Sequence, residues 1–303
     1  MGPTASGKTA LALDLAREFP IEIISVDSAL IYQDMNIGTA KPTMHELSTV
    51  PHHLIDILNP TEHYSVGQFV TDATALIHQI RQKNKIPLLV GGTMLYFKAL
   101  QQGLAQLPTD NAEIRAEIYK KAEQQGWAAL YAELLQIDPV FASKISVNDT
   151  QRIGRGLEVF YLTGQPLSFL QTQNHRPSAL TFLPFALIPE DRSVLHQRIQ
   201  VRINQMLEAG LIDEVILLKK KYILYDHLPS MRAVGYRQVW NFLENKISEK
   251  MLPDHILFAT RQYAKRQLTW LRAWPDVENL SMESILSRGG HVLDSIKYAI
   301  KNS

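Results

Sequence analysis

The 303-residue sequence contains no cysteine, which excludes disulfide bonds, thiolate catalysis and cysteine-bound zinc. It has no run of about 18 apolar residues of the kind that crosses a membrane. Its N-terminus also lacks the basic and apolar regions of a signal peptide. Net charge is nearly absent, since 31 Lys and Arg face 30 Asp and Glu. An argument for nucleic-acid binding must therefore come from where the charges lie along the sequence. The absence of cysteine fits a reducing cytoplasm.

The first hundred residues alternate short apolar runs with amphipathic stretches. The runs at 21–26 and 86–90 predict strands, and the apolar spacing over 8–18 and 69–82 predicts helices. Strands that alternate with helices are typical of a parallel, doubly wound sheet.

The segment GPTASGKT matches the phosphate-binding pattern G-x-x-x-x-G-K-[ST] in full. Small residues allow backbone N–H groups to cradle phosphate oxygens, Lys8 supplies a positive charge, and Thr9 offers its hydroxyl to Mg²⁺. The loop alone leaves kinases, NTPases and diphosphate-using transferases open. The predicted diphosphate-binding residues are Gly2, Pro3, Thr4, Ala5, Ser6, Gly7, Lys8 and Thr9.

A phosphate loop normally follows a buried strand, whereas only Met1 precedes Gly2 in this sequence. We therefore expect a chain extended upstream to be more active than this one and to unfold at a higher midpoint.

From about residue 110 the pattern becomes purely helical. Helices are predicted at 113–125, 127–135 and 150–162, the last of them ended by Gly164. A strand is predicted at 182–188 and long helices from about residue 193. The fold class is thus α/β, with a P-loop parallel-sheet core, a helical insertion domain and long C-terminal helices. We place the core at 1–108 and 179–303, and the insertion at 109–178.

Asp27 directly follows the predicted strand at 21–26. In an open α/β sheet the carboxyl ends of the strands face the ligand crevice, so Asp27 is a candidate general base or metal-linked carboxylate. The alternative is an aspartate that caps a turn or a helix. Gly91 and Gly92 end the second strand in the same way, which permits either a close ligand or a tight turn. Glu22 is expected to be solvated.

The C-terminal third carries a local positive charge. Residues 261–272 include four basic residues and no acidic one, and Arg261, Lys265 and Arg272 fall within about 40° of one another on a helix. Trp270 falls on the opposite side, where we expect it to anchor the helix to the core. This stripe suits a phosphate backbone, although a solvated helix face is the alternative. Two further pairs of arginines lie at Arg232 and Arg237 and at Arg152 and Arg155.

Two neighbouring histidines and an aspartate, His52, His53 and Asp56, could be arranged around a metal ion. They lie in a proline-flanked loop, and we expect them not to form a metal site.

Six collinear segments resemble the tRNA dimethylallyltransferase family, also called tRNA isopentenyltransferases. The resemblance spans nearly the whole chain and is more specific than the phosphate loop alone. The segments are GPTASGKT at 2–9, SVDSALIY at 25–32, IGTAKP at 37–42, LVGGTMLYFKAL at 89–100, VGYRQ at 234–238 and AKRQLTWLR at 264–272.

The resemblance implies a Mg²⁺-dependent enzyme whose two substrates enter one channel from opposite sides. Dimethylallyl diphosphate would occupy the phosphate loop, and N6 of the adenosine on the 3′ side of the tRNA anticodon would accept the dimethylallyl group. It implies catalytic roles for Lys8, Thr9, Asp27 and Arg232, with Thr9 as the metal ligand. The expected partners are the tRNA anticodon stem-loop and dimethylallyl diphosphate. We expect the protein to be a cytoplasmic monomer that does not bind a membrane. The implied tRNA-binding residues are Asp27, Ser28, Ala29, Leu30, Gln151, Arg152, Arg155, Arg232, Gly235, Tyr236, Arg237, Lys265, Arg266, Gln267 and Arg272.

Three alternatives remain open on the sequence. A small-molecule kinase would use the same loop with ATP but would leave the basic C-terminal helix unexplained. A prenyltransferase acting on free adenine nucleotides would not need an extended basic stripe. A nucleic-acid-binding ATPase would account for loop and stripe but would give Asp27 no particular task.

Overall fold

The computed structural model describes residues 1–105, 107–108, 111–173, 175–176 and 178–281. The chain forms two compact units, one made of Met1–Lys98 and the segment from Phe182 onward, the other of Ala99–Thr181. The predicted insertion at 109–178 lies within the second unit. The strands are β1 (Ile21–Val26), β2 (His52–His53), β3 (Ile86–Gly91), β4 (Leu104–Ala105), β5 (His175–Arg176), β6 (Phe185–Ile188) and β7 (Glu278–Ser281).

The helices in chain order show that the predicted helical stretches form. They are α1 (Lys8–Glu18), α2 (Met44–Thr49), α3 (Val66–Gln82), α4 (Met94–Gln102), α5 (Ala112–Gln125), α6 (Trp127–Ile137), α7 (Pro139–Ala142), α8 (Thr150–Thr163), α9 (Leu167–Gln173), α10 (Arg192–Glu208), α11 (Leu211–Lys221), α12 (Tyr236–Leu243) and α13 (Leu252–Arg272). Within the described part of the chain, no helix combines the length and apolarity needed to cross a membrane.

The sheet that positions the site has the order β2-β1-β3, with all strands parallel. The central strand β1 is buried along its whole length, as its run of β-branched residues favours. Val26, its last residue, pairs with Gly91 of β3, so the segments after both strands emerge at one edge. The prediction of an α/β fold with a parallel sheet is confirmed.

The phosphate loop begins beside a second parallel pair of strands, β6 and β7. The amino group of Met1 donates to the carbonyl of Phe185 at 2.7 Å, and the N–H of Leu187 donates to the carbonyl of Met1 at 2.8 Å. Met1 therefore extends alongside β6, which fixes where the loop starts.

Glu22 corrects one expectation, because it is buried within β1 and not solvated. Its carboxylate is satisfied by Lys85 at 2.9 Å, His53 at 2.8 Å and Lys83 at 3.4 Å. The hydrogen bond from Lys85, together with those neighbours, lowers the pKa of Glu22 to about 2 despite its burial. A charge at this buried strand position is stable because three cationic or polar groups surround it.

Amphipathic helices close the core of the first unit. On α10 the buried side chains are Leu195, Ile199 and Ile203, four residues apart along one face. They pack in the same core as Ala264 and Leu268 of α13.

The second unit has its own core, formed by residues of α5, α6 and α8 such as Ile118, Leu134 and Leu157. Helix α8 begins at the side chain of Asp149, which accepts from the N–H of Arg152, and ends at Gly164 in the left-handed conformation (φ 70°). The prediction that Gly164 ends this helix is confirmed. Glycine can adopt the left-handed conformation without a Cβ clash.

Candidate active site

The phosphate loop wraps into the N-terminus of α1. The N–H of Ser6 donates to the carbonyl of Pro3 at 3.4 Å, and Gly7 adopts a left-handed conformation (φ 93°) as the residue that precedes the helix. Ala5 also has a positive φ of 61°. A tight loop that leads into a helix N-terminus is the arrangement that binds anions.

Gln267 of α13 holds this loop against the end of β3. Its Oε1 accepts from the N–H of Thr4 at 2.9 Å, and its Nε2 donates to the carbonyl of Gly92 at 2.8 Å. A Cβ on Gly92 would overlap the Gln267 amide, so a larger residue there would displace this side chain. Gln267 was predicted as a tRNA-binding residue, but its side chain is buried and its amide is engaged by the loop. In this structure it therefore positions the phosphate loop.

Lys8 projects from the first turn of α1 toward the loop. Its Nζ donates to the carbonyl of Pro3 at 2.6 Å. Burial lowers the pKa of Lys8 to about 8, an effect that the carboxylate of Asp27 opposes and the guanidinium of Arg202 reinforces. An anion in the loop would favour the charged form of this side chain.

Arg202 of α10 was not predicted as a site residue. It faces the same cavity as Lys8, and its Nη2 donates to the carbonyl of Thr39 at 3.4 Å. Burial lowers its pKa, and Asp27 opposes that shift. The sequence did hold a signal: at about 100° per residue Arg202 falls beside Leu195 on the apolar face of its helix. An arginine on a buried face normally has a partner.

Asp27 serves the turn after β1 and also faces the cavity. Its Oδ1 accepts from the N–H groups of Ala29 at 2.8 Å and Leu30 at 3.4 Å. Within the described residues Oδ2 accepts no hydrogen bond. The turn interpretation is confirmed, because Oδ1 caps the turn. The other oxygen stays available to a ligand, and the role of Asp27 as a general base stays a prediction.

Polar groups of neighbouring elements surround Asp27. The Oγ1 of Thr93 accepts from the N–H of Ser28 at 3.1 Å, and burial followed by the Asp27 charge raises the pKa of Tyr263. Ser25 is buried two residues before Asp27 on the same strand face, and its hydroxyl has no partner among the described residues. Buried hydroxyls are normally hydrogen-bonded, so the hydroxyl of Ser25 is an exception in the cavity wall.

These groups line one cavity of about 420 Å³ in the first unit. Its volume falls within the range of small-molecule sites. Four segments contribute most of the polar residues that line it. With their apolar neighbours in the wall, these segments are the phosphate loop with Thr4, Ala5, Lys8 and Thr9; the turn with Asp27, Ser28, Ala29 and Leu30; the segment Arg232, Ala233, Val234 and Gly235; and Thr260, Tyr263, Arg266 and Gln267 of α13.

The arginine pair Arg232 and Arg237 divides between the cavity and the surface. Arg232 is exposed and lines the cavity, whereas Arg237 is exposed on α12. Gly235 begins α12 with φ 94°, and its N–H donates to the side chain of Gln238 at 2.8 Å. Tyr236, predicted to bind tRNA, is fully buried, so its side chain supports the fold and does not reach the surface here.

The basic stripe on α13 is exposed at Arg261, Lys265 and Arg272. The expected anchoring role of Trp270 is wrong, because its side chain is 37% exposed and lies beneath the ammonium of Lys98 at 5.6 Å from the ring centroid. Ala264, Gln267, Leu268 and Leu271 form the buried face instead. Trp270 falls about 120° from the centre of that face, too far round the helix to enter the core.

In the second unit, Gln151 and Arg152 are exposed at the start of α8. Arg155 is partly buried, with Nη1 bonded to Glu158 at 3.0 Å and Nη2 to the carbonyl of Pro108 at 2.7 Å. Arg152 is exposed and pairs with Asp149 at 3.4 Å, whereas Arg155 contributes to the internal structure of the unit.

The histidine pair turns to separate partners. Nδ1 of His52 contacts the carbonyl of Val50, and His53 contacts Glu22. Asp56 pairs with Lys41. The three side chains are thus engaged by three different partners.

The chain is similar to proteins of one known family. The family described as IPP transferase matches residues 30–274. The tRNA dimethylallyltransferase of Burkholderia ambifaria is 54% identical over 280 residues, covering 91% of this chain and 86% of that protein. The enzyme of the same name from Legionella pneumophila is 51% identical over 301 residues, covering 97% and 96%.

Solved structures agree. The chain is 36% identical to the tRNA isopentenylpyrophosphate transferase of Bacillus halodurans, with a TM-score of 0.67 over 99% of this chain and 96% of that one. A eukaryotic dimethylallyltransferase whose crystallographic snapshots show it acting on tRNA is 27% identical, with a TM-score of 0.79 over 99% of this chain and 77% of that one. The family predicted from the six segments is confirmed, and the chain belongs to the IPP transferase family of tRNA dimethylallyltransferases.

Proposed function

We propose that this chain transfers the dimethylallyl group of dimethylallyl diphosphate to N6 of the tRNA adenosine on the 3′ side of the anticodon, with release of diphosphate. The observation that carries the proposal is the joint lining of one cavity by an anion-binding loop and by a carboxylate with a free oxygen. A leaving group that is a diphosphate and a nucleophile that must lose a proton require those two groups.

The chemistry assigns a task to each residue. The exocyclic N6 is a weak nucleophile, so the allylic C–O bond must be weakened while the C–N bond forms. The electron pair of the C–O bond leaves with the diphosphate, where Lys8, the loop N–H groups, Arg232 and Arg202 stabilise the charge. Asp27 accepts or orients the proton that N6 loses, through the oxygen that the turn does not use. The adenosine must leave its stack to reach this site.

Residues around the loop also fit Mg²⁺. The hydroxyl of Thr9 is a hard oxygen donor that lines the cavity beside the phosphate loop. Mg²⁺ typically takes one or two protein oxygens and completes its shell with substrate phosphates and water. Such a site needs no cluster of three acidic or imidazole groups, and the described residues contain none. When bound with the diphosphate, the ion would neutralise charge on the leaving group.

Exposed basic residues of each unit support tRNA as the partner. Arg261, Lys265 and Arg272 form the stripe on α13, and Arg152 is exposed on α8. Each can contact a phosphate of the anticodon stem-loop. A free nucleotide would leave this stripe without a ligand. Because the acceptor is tRNA, we place the enzyme in the cytoplasm, and we propose that it acts as a monomer.

The proposal is tested by incubating the chain with dimethylallyl diphosphate, Mg²⁺ and unmodified tRNA that has adenosine on the 3′ side of the anticodon. Nucleoside mass spectrometry should show a dimethylallyl mass gain on that adenosine, and AMP and ATP serve as parallel substrates. A gain on AMP alone would reassign the chain to nucleotide prenylation, and phosphate transfer from ATP would support a kinase. The variant Lys8→Ala is the matched negative control.

A further inference from the structure

A buried carboxylate outside the cavity binds one of the segments that form its wall. Glu214 lies in the first turn of α11 and is 8% exposed. Its Oε2 accepts from the N–H groups of Asn36 and Ile37 at 2.9 and 2.8 Å. Its Oε1 accepts from the N–H of Gly38 at 3.2 Å and from the hydroxyl of Tyr236 at 2.5 Å. Four donors therefore converge on one carboxylate.

This arrangement fixes the backbone at 36–38. Three successive N–H groups that point to one centre form an anion-binding nest, and Glu214 fills it from within the protein. A buried carboxylate is costly unless hydrogen bonds satisfy it, so the turn and the side chain hold each other in place. The turn is closed further by bonds from the N–H of Ala40 to the carbonyl of Ile37 and from the N–H of Lys41 to the carbonyl of Asn36, both 2.9 Å.

The ring of Tyr236 locks the same turn from the other side. It is fully buried, and a Cβ on Gly38 would lie 2.5 Å from its Cε2 atom. Burial and the adjacent Glu214 carboxylate raise the pKa of the Tyr236 hydroxyl, which stays a hydrogen-bond donor. Glu214, Tyr236 and Gly38 thus form a single packed group.

This packed group reaches the cavity through two segments. On one side Gly38, Thr39 and Ala40 line the cavity, and the carbonyl of Thr39 accepts from Arg202. On the other side Tyr236 directly follows the cavity-lining segment 232–235. Movement of the turn would therefore displace the guanidinium of Arg202 and the wall that carries Arg232.

We propose that Glu214 is a positioning residue for the diphosphate: acting through the turn at 36–40 and through Tyr236, it holds Arg202 and the 232–235 wall where they meet the anion. The identity of the anion rests on the proposed function, whereas the geometry of the group does not.

The experiment measures the affinity of the full chain for inorganic diphosphate by calorimetry, for wild type, Glu214→Gln and Tyr236→Phe. The glutamine exchanges an accepting oxygen for an NH2 group that faces two donors, so affinity should fall about tenfold or more. Tyr236→Phe removes one of four donors and keeps the ring, so a loss of about threefold is expected. In the double variant the tyrosine change should add less than it does alone, because both act through one carboxylate.

Asp138→Asn is the matched control. Asp138 is 1% exposed and accepts from the N–H of Phe141 and from the N–H and hydroxyl of Ser168, and none of these residues lines the cavity. It should lower the unfolding midpoint and bind diphosphate like wild type. If Glu214→Gln and Tyr236→Phe also bind like wild type, Glu214 has only a structural role and the inference fails. Should Glu214→Gln not fold, Tyr236→Phe decides alone.

Kinetics with dimethylallyl diphosphate supply the second readout. In Tyr236→Phe its KM should rise by more than kcat falls, because the ligand contact is weakened and Asp27 is untouched. A fall in kcat at unchanged KM would contradict the positioning role. If the wild-type chain binds diphosphate but transfers no dimethylallyl group, the proposed function fails while the calorimetric result still judges Glu214.

Discussion

Raising the pH from 7 to 9 should weaken diphosphate binding through loss of the proton on Lys8. Burial lowers the pKa of this side chain from 10.5 to about 8. The bound anion favours the ammonium form, so it raises the pKa again. With a free-state pKa of about 8, roughly nine in ten molecules carry the proton at pH 7 and about one in ten at pH 9. Affinity should therefore fall about tenfold between these values, which equals ~1.4 kcal/mol.

Calorimetry in buffers of different ionisation enthalpy measures this effect directly. At pH 9 wild type should take up about 0.9 proton on binding diphosphate, beyond the protons that the ligand itself exchanges. Lys8→Met is the control, because the titration of diphosphate is common to both proteins. Equal pH slopes and equal proton uptake in the two proteins would refute the argument.

The same shift has a consequence for stability. Because the folded pKa of Lys8 lies below its unfolded value, the unfolded chain holds more protons between pH 8 and 10.5. The free energy of unfolding of wild type relative to Lys8→Met should therefore rise with pH across this window, by up to about 3 kcal/mol. Denaturant unfolding at several pH values measures it, and a falling difference would contradict the sign.

Three further predictions concern the turn, the stripe and a glycine. Asp27→Asn should cut kcat by ~10²-fold or more, while tRNA binding and stability stay close to those of wild type. Asp27→Ala should lower the free energy of unfolding by about 1 kcal/mol more than Asp27→Asn does, because asparagine can cap the turn and alanine cannot. Near-normal turnover of these variants in single-turnover assays would remove Asp27 from its role. Lys265→Ala should reduce the slope of log K against log salt for tRNA by about one contact, whereas exposed Lys250→Ala should not, and equal slopes in filter-binding assays would count against the stripe. Gly38→Ala should lower the free energy of unfolding by ~1–3 kcal/mol, since its methyl group would meet the Tyr236 ring, and an unchanged urea midpoint would show that the ring can move.

The parts of the fold that follow from local periodicity could be predicted from the sequence. The strand at 21–26 and the helix at 8–18 form over those residues. The placement of Asp27 near the phosphate loop also followed, because parallel strands deliver their carboxyl ends to one edge. The short strands β2, β4 and β5 could not be recognised, since two residues carry no period.

Side-chain partners were the part that sequence reasoning missed. Periodicity assigns a residue to the buried or exposed face of a helix, but it does not say which distant group meets it. The family resemblance implied that Gln267 and Tyr236 contact RNA, whereas in the structure one side chain holds the phosphate loop and the other bonds Glu214. Arg202 and Glu214 were overlooked, although each is a charged residue on the apolar face of its helix. Such a position is the sequence signal of a buried hydrogen-bonded partner.

The outward and inward faces of α13 have different roles, and this matters for redesign of the acceptor preference of this enzyme. Its outward face carries Lys265 and Arg272, while the inward amide of Gln267 joins the phosphate loop to Gly92. Under the proposed function, a mutant library that randomises the outward positions should vary RNA recognition and leave the phosphate loop intact. A library that includes position 267 would change acceptor recognition and the phosphate loop together. Selection for a new acceptor would then also discard variants whose only defect is weaker binding of the diphosphate substrate.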